Sequence, residues 1–242
     1  MLQLSKRLLA VADLAGNAEV LADVGTDHGY IPVYLLSSGK IQKAVAMDIN
    51  LGPLRRAKQN INQYGMEGKI ETRRSDGLSS LLPGEADTIV IAGMGGKLMM
   101  RILSQGEQAA RTAKKLVLQP QSELYAFRSF LLERGYGIVA EDMVYEDGKY
   151  YSMMAVEYSI DADGYCRQPE STEISLKYGP LLIRQRHPVL HQYLQYQKKQ
   201  KEKILECLAS YARQDVSQRN VQIEQELMEI EDLLKMWKEQ EI

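Results

Sequence analysis

Four short segments with acidic residues or glycines are the parts of this 242-residue chain best suited to bind a ligand, and each lies at the end of a predicted strand. They are Asp23-Val24-Gly25, Asp48, Ser75-Asp76-Gly77 and Ala92-Gly93-Met94-Gly95-Gly96. Glycine permits turns that a side chain forbids and lets a ligand approach the backbone. A carboxylate after a strand can accept hydrogen bonds from sugar hydroxyls. Together the clusters predict a nucleoside-binding site.

The first cluster continues through Thr26-Asp27-His28-Gly29 into a helical stretch. The spacing of Gly25 and Gly29 differs from the Gly-x-Gly-x-x-Gly of dinucleotide-binding proteins. Asp27 and His28 occupy the turn that would face a pyrophosphate, and a carboxylate there repels phosphate. The same carboxylate tolerates the sulfonium and ammonium groups of S-adenosylmethionine (SAM). We therefore expect SAM rather than NAD as the cofactor.

Short apolar runs alternating with helical patterns must position these clusters. The predicted strands are 20–24, 44–48, 70–74, 88–92 and 116–119, and the predicted helices are 4–15, 31–38, 53–64, 96–103 and 123–134. Continuous apolar strands indicate burial on both faces, as in a parallel sheet covered by helices. Two further strands, 137–145 and 150–158, flank Asp147-Gly148 and predict an antiparallel hairpin. We predict an α/β fold with a Rossmann-like methyltransferase sheet closed by that hairpin.

The carboxyl-terminal part has a different pattern. Residues 159–170 are polar and read as a linker, so we predict domains at 1–160 and 171–242. Two apolar stripes follow with alternating steps of four and three, and they predict an antiparallel helical coiled-coil hairpin. The first helix is basic and the second acidic. The opposite charges could pair the two helices with each other. Lys198 and Lys199 could also contact phosphate, and the two interpretations are compatible.

Composition restricts the remaining possibilities. The net charge of −2 gives no sign of a nucleic-acid partner, so such a sign must come from local charge. The two cysteines and three histidines lack the spacing of a metal site, and we expect no metal. No run approaches the ~18 apolar residues of a membrane helix, and the amino terminus lacks a signal core. We expect a cytoplasmic protein without membrane contact, either a monomer or a weak dimer.

The motifs resemble those of the bacterial TrmK family, which are tRNA (adenine-N1)-methyltransferases acting on adenine 22. The matching segments are Leu4-Ser5-Lys6-Arg7-Leu8, Asp23 to Pro32, Asp48-Ile49-Asn50, Ser75-Asp76-Gly77-Leu78 and Ala92 to Gly96. The resemblance covers residues 1–160 and implies a SAM-dependent enzyme with tRNA as its partner. It places Asp23, Gly25, Asp48, Asp76, Gly77 and Gly93 at SAM-binding positions, and we add Arg7, Gly29 and Ile49 to that set. The Asn/Asp-Pro-Pro-Tyr motif of exocyclic-amine methyltransferases is missing, which argues against methylation of adenine N6.

Adenine N1 has a free lone pair that can attack a methyl group without prior loss of a proton, so alignment is the main task. Positive charge then spreads toward N6, where a carboxylate can stabilise it. We predict Asp27 as that catalytic carboxylate, with His28 beside it. Alternatively, Asp27 caps a helix or holds the SAM amino group.

The target base must leave its pair to expose N1. We expect Met94, Gly95 and Gly96 to receive it, and Tyr150 or Tyr151 to stack on it. Lys198 and Lys199 are the predicted phosphate contacts.

Two other functions remain open at this stage. One is a class I methyltransferase acting on another RNA, a protein or a small molecule, whose substrate binding would not depend on salt if no phosphate is involved. The other is an inactive RNA-binding scaffold. The predicted ribose-binding carboxylates argue against it, because a scaffold does not need to bind a nucleoside cofactor.

Overall fold

The computed structural model describes residues 2–159, 172–210 and 217–239. The chain divides into two compact units, residues 1–179 and residues 180–242. The predicted linker lies outside the described residues from residue 160 onward, so the predicted domain boundaries stay a prediction.

The first unit is built on a seven-stranded sheet. Its strands are β1 (Ala18–Val24), β2 (Ile41–Asp48), β3 (Ile70–Arg74), β4 (Thr88–Met94), β5 (Lys115–Pro120), β6 (Tyr136–Glu146) and β7 (Lys149–Tyr158). Their order is β3-β2-β1-β4-β5-β7-β6. Strands β1 to β5 are parallel, whereas β7 is antiparallel to β5 and to β6. The predicted Rossmann-like sheet with a closing hairpin is therefore confirmed. The strand order reverses between β1 and β4, because β2 and β3 lie on one side of β1 and β4 and β5 lie on the other. In sheets of this kind, ligands bind at this point, outside the carboxyl ends of the strands.

Seven helices accompany this sheet among the described residues of the first unit. They are α1 (Lys6–Ala15), α2 (Tyr30–Ser37), α3 (Leu51–Gln63), α4 (Gly96–Gln105), α5 (Glu107–Thr112), α6 (Leu124–Glu133) and α7 (Glu173–Tyr178). The sequence did not predict α5, because six residues are too few to show helical periodicity. Helix α7 lies in the part after residue 170 that the sequence predicts to be helical. The core lies around β1, β4 and β5, where Leu21, Val90 and Val117 are fully buried.

The start of helix α1 is fixed from two sides. The Ser5 hydroxyl accepts from the Leu8 amide at 3.3 Å, as a helix N-cap does. The Glu146 carboxylate, at the tip of the β6–β7 hairpin, accepts from the amides of Lys6 (2.6 Å) and Arg7 (3.4 Å). The hairpin therefore sets the position of Arg7.

A fully buried ion pair joins α6, the hairpin and α7. The Arg128 guanidinium donates to Glu141 at 3.0 Å and to the Ser152 hydroxyl at 3.1 Å. It also donates to the carbonyl of Leu176 at 2.9 Å, at the end of α7. Burial lowers the pKa of Arg128, and the neighbouring charge of Glu141 opposes that shift. Gly179 packs directly against the pair, because a Cβ there would lie 2.8 Å from a Glu141 oxygen.

Replacing Arg128 with methionine is expected to lower the free energy of unfolding by roughly 3–5 kcal/mol, because Glu141 keeps a buried charge without its main partner. Urea denaturation followed by circular dichroism measures this loss. The double change Arg128→Met with Glu141→Leu should recover most of it. Arg134→Met is the matched control, since Arg134 is 44% exposed and its pair with Glu107 contributes at most about 1 kcal/mol. Equal losses in the two single variants would contradict the prediction.

The second unit contains α8 (Pro180–Arg184), α9 (Pro188–Ser210) and α10 (Ser217–Glu239). Helices α9 and α10 pair in antiparallel fashion, since Lys198 binds Glu231 and Lys201 binds Glu226. Both helices carry buried apolar side chains, namely Leu190, Leu194, Ile223, Ile230, Leu233 and Trp237. Leu233 is buried, whereas Leu234, which fits the predicted steps of four and three, is only half-buried. The predicted turn between the helices lies outside the described residues. Among the described helices, none combines the length and the apolar character that crossing a membrane requires.

Candidate functional site

A cavity of about 370 Å³ opens at the carboxyl edge of the sheet, beside the ends of β1 and β4. Its walls are Arg7, Leu8, Asp23, Gly25, Thr26, Asp27, His28, Tyr30, Ile31, Ala92, Gly93 and Gln121. The predicted site residues Arg7, Asp23, Gly25, Asp27, His28 and Gly93 are thus brought together.

Asp23 is the buried charge of this cavity. Asp23 is the residue before the last in β1, and it is only 6% exposed. Burial raises the pKa of Asp23 to about 6, the charge of Asp48 adds to the rise, and Thr26 opposes it. No cation forms an ion pair with Asp23 among the residues that the structure describes. A buried carboxylate without a counter-charge is costly, and a cationic group in the cavity would neutralise it.

Asp27 and His28 lie on the turn between β1 and α2. The Asp27 carboxylate is 61% exposed and accepts from Arg56 through Nη2 at 2.7 Å and Nε at 3.1 Å. Helix α2 has Gly29 as its N-cap and no side-chain cap, so Asp27 does not cap it. The His28 ring stacks on Tyr30, with the ring centroids 5.1 Å apart. The Asp27 carboxylate therefore lies at the cavity wall, bound by Arg56 and 3.7 Å from Nε2 of His28.

Gly29 has a packing role instead of a cavity position. Its φ of +65° is left-handed, and a Cβ there would lie 3.4 Å from the Ala57 Cβ. The glycine lets the start of α2 approach α3.

Asp48 and Asp76 extend the same edge beyond the cavity, at the ends of β2 and β3. The Ser75 amide donates to the Asp48 carbonyl at 3.0 Å, so the two strand ends are adjacent. Asp48 accepts from the Asn50 amide at 2.6 Å, and Ile49 beside it is 46% exposed. Arg101 donates to Asp76 at 3.5 Å.

Gly77 lies beside them and must be glycine on packing grounds. Its φ is +58°, and a Cβ would lie 2.9 Å from Ile102. It allows the loop after β3 to pack closely on α4.

Gln119 is a site residue that the sequence signals only weakly. It is fully buried, and its Oε1 accepts from the Gly93 amide at 3.1 Å and from Arg7 Nη1 at 2.9 Å. The Arg7 guanidinium also lies over the Tyr151 ring, 5.6 Å from its centroid. The available signal was a polar residue ending an otherwise apolar strand. Gln119 therefore links the end of β4, at Gly93, to Arg7 on α1.

Met94, Gly95 and Gly96 do not line the cavity. The Met94 methyl group covers Gly25, where a Cβ would lie 1.9 Å from it. A Cβ on Gly96 would lie 2.6 Å from the Ser122 carbonyl, and one on Gly95 would lie 3.2 Å from the Ser122 hydroxyl. These glycines therefore allow the loop after β5 to pack over the end of β4. Their predicted contact with a substrate base stays a prediction.

Tyr150 also lies outside the cavity wall, where its ring packs on Tyr145 at 4.6 Å near the hairpin tip. Lys198 and Lys199 belong to the second unit. Lys198 binds Glu231 at 2.6 Å, and this hydrogen bond raises the pKa of Lys198. Lys199 is exposed. Pairing of the helices thus occupies Lys198 but leaves Lys199 directed to solvent.

Comparison with known proteins identifies the family. A family model described as "Methyltransferase domain" matches residues 4–154. The tRNA (adenine(22)-N(1))-methyltransferase of Bacillus subtilis is 32% identical over 238 residues, which covers 98% of this chain and 97% of that protein. The chain belongs to the TrmK family of methyltransferases.

Solved structures of TrmK proteins have the same fold. The Streptococcus pneumoniae structure, a complex with S-adenosyl-L-methionine, has a TM-score of 0.82 and 30% identity, covering 96% of this chain and 100% of that chain. The M. capricolum TrmK structure, a complex with S-adenosyl-homocysteine, has a TM-score of 0.78 and 26% identity, covering 96% and 98%.

The TrmK cavity of this chain fits SAM chemically. Asp23 offers a buried charge for an ammonium group, and Asp48 offers a carboxylate at the end of the next strand. Gly25 and Gly93 adopt φ of +76° and +81°, so backbone without side chains borders the cavity. These residues supply the hydrogen-bond acceptors and the open space that a nucleoside with an amino acid attached requires.

Proposed function

We propose that this protein transfers a methyl group from SAM to N1 of adenine 22 in tRNA. The observation that carries the proposal is the convergence of Asp23, Gly25 and Gly93 on one cavity. That convergence occurs in a chain that matches a tRNA (adenine(22)-N(1))-methyltransferase over 98% of its length.

Each carboxylate along the sheet edge would bind a different group of SAM. Asp23 would hold the ammonium group, Asp48 the ribose hydroxyls and Asp76 the adenine amino group. Arg7, fixed by Gln119 and the hairpin, would hold the carboxylate. SAM supplies a methyl group made electrophilic by its sulfonium.

The target adenine needs alignment more than activation. Its N1 forms a bond to the methyl carbon while the carbon–sulfur bond breaks, and the electron pair of that bond stays on sulfur. The base gains a positive charge that spreads to N6, and the Asp27 carboxylate at the cavity wall accepts from the N6 amino group. His28 and Tyr30, stacked on each other, shape the wall beside it.

The helical unit is the proposed second contact with tRNA. Lys199 on α9 is exposed, and a lysine directed to solvent on a basic helix suits a phosphate. Tyr150, Met94 and Gly95 stay proposed contacts of the flipped base, whereas Gly96 is buried under the loop at Ser122.

Replacing Lys199 with glutamate is expected to raise the KM for tRNA about 3- to 10-fold near physiological salt, without a change in kcat. Loss of one phosphate contact should lower the slope of log KM against log salt by about 1. Initial rates at several salt concentrations measure both effects. Lys69→Glu is the control, because Lys69 is exposed just before β3, at the amino-terminal edge of the sheet and away from the cavity. An unchanged slope for Lys199→Glu would remove Lys199 from the interface.

Methyl transfer from labelled SAM to unmodified tRNA transcripts, followed by nucleoside mass spectrometry, tests the function. We expect 1-methyladenosine in transcripts with adenine 22 and none when guanine replaces it. Labelling independent of that adenine would favour a different RNA substrate. Labelling of protein or small molecules alone, or absence of SAM binding in calorimetry, would contradict the proposal.

We further propose that the protein acts in the cytoplasm, as a monomer or weak dimer, without a metal. The described residues contain no cluster of three or more His, Cys, Asp or Glu side chains that could hold an ion. Light scattering across a concentration series tests the oligomeric state. Activity in the presence of a strong chelator tests the independence from metal.

A further inference from the structure

The turn that carries Asp27 has an unusual backbone. His28 and Gly29 both adopt left-handed φ values, +69° and +65°. Glycine adopts this conformation readily, but a residue with a side chain does so only when its surroundings hold it. Something must therefore hold His28.

Helix α3 supplies the contacts that hold it. The Asn60 side-chain amide donates from Nδ2 to the His28 carbonyl at 2.9 Å. One turn earlier, Ala57 packs against Gly29, and Arg56 binds the Asp27 carboxylate. Positions three and four apart share one face of a helix. A single face of α3 thus contacts three consecutive residues of the turn.

We propose that Asn60 is a positioning residue of the methyl-transfer site. It does not line the cavity. It acts through the His28 carbonyl, which it holds in the left-handed turn that carries the Asp27 and His28 side chains. Arg56 contributes less, because both members of its ion pair with Asp27 are about half-exposed or more and are screened by water.

The amide of Asn60 is not needed to build α3. The helix packs on the core through Leu54, Ala57 and Ile61, which are buried. Changing the amide therefore alters the turn without removing the apolar contacts of the helix. Aspartate has the same shape as asparagine, but its ionised carboxylate has no proton to donate to a carbonyl. Asn60→Asp places two acceptors against each other at the His28 carbonyl.

Asn62→Asp is the matched control. It makes the same chemical change and adds the same charge two positions further along α3, at an exposed residue. The kinetic arm of the experiment rests on the proposed function. We expect Asn60→Asp to lower kcat about 10- to 100-fold, since small displacements of reacting groups have effects of that order. The Kd for SAM should stay within about threefold, and Asn62→Asp should keep wild-type kcat.

A spectroscopic arm is independent of activity. The chain has three histidines, so the imidazole signals of His28, His187 and His191 can be resolved and assigned by nuclear magnetic resonance. Asn60→Asp should shift the His28 signals and leave those of His187 and His191 in place. Asn62→Asp should shift none of the three.

Three results would overturn the proposal. They are an unchanged kcat in Asn60→Asp, unmoved His28 signals, or a parallel fall of kcat, SAM affinity and Tm that indicates a general folding role. Failure of the wild-type protein to methylate adenine 22 contradicts the proposed function instead, and the resonance comparison still decides the role of Asn60.

Discussion

Asp23→Asn is expected to weaken SAM binding at pH 8 by about 30-fold or more. The loss of one partner from a buried, hydrogen-bonded charge pair costs about 2 kcal/mol or more. Isothermal titration calorimetry with SAM measures the change. Asp13→Asn is the control, since it also removes one negative charge, and its side chain is 58% exposed on α1, outside the cavity wall. Wild-type affinity in Asp23→Asn would show that Asp23 does not face the ammonium group.

The same residue gives SAM binding a pH dependence. The folded-state pKa of Asp23 is about 6, so the carboxylate is ionised at pH 8 and largely protonated at pH 5. We expect the Kd of the wild-type protein to rise as the pH falls through about 6. Asp23→Asn should show no such transition, because its amide does not titrate.

Stability without SAM should change in the opposite direction. The pKa of Asp23 rises from 3.8 to about 6 on folding, so its contribution to stability is fully present below 3.8 and is lost as the pH rises through about 6. At pH 8 the ionised carboxylate therefore destabilises the folded state, by an upper bound of ~3 kcal/mol. Asp23→Asn should have a higher Tm than wild type at pH 8 without SAM. A lower Tm would mean that the carboxylate is stabilised by contacts other than a ligand.

Asp27→Asn is expected to lower kcat about 10²- to 10³-fold while SAM affinity stays nearly unchanged. A neutral amide cannot stabilise the positive charge that spreads to N6 of the base, and loss of one such interaction has this magnitude in other enzymes. Single-turnover methyl transfer with saturating tRNA isolates the chemical step. Stability should change little, because the Asp27–Arg56 pair is largely exposed.

Arg56→Gln separates the carboxylate from its ion pair. This variant breaks the pair but keeps Asp27 charged, so it should retain much more activity than Asp27→Asn. Equal losses in the two variants would assign the effect to the pair, and normal turnover in Asp27→Asn would end the catalytic role of Asp27.

The sequence alone determined the sheet and the class of ligand. Apolar runs with acidic residues and glycines at their ends specify parallel strands whose carboxyl ends meet at one edge. That is why Asp23, Gly25 and Gly93 could be assigned to one site before the fold was known. The Asp147-Gly148 turn likewise specified the hairpin that closes the sheet. Both are local patterns, readable within a few residues.

Only the tertiary structure decided which side chains hold the site in place. Asn60 meets His28 from 32 positions away, and Arg7 meets Gln119 from 112 positions away. Such pairs depend on how a helix face packs on a strand end, which no local spacing records. The raised pKa of Asp23 has the same origin, since burial is produced by the packed chain. Gly95 and Gly96, which follow β4, are a further case. From the sequence they predict open space for a substrate base, but in the structure the loop at Ser122 occupies that space.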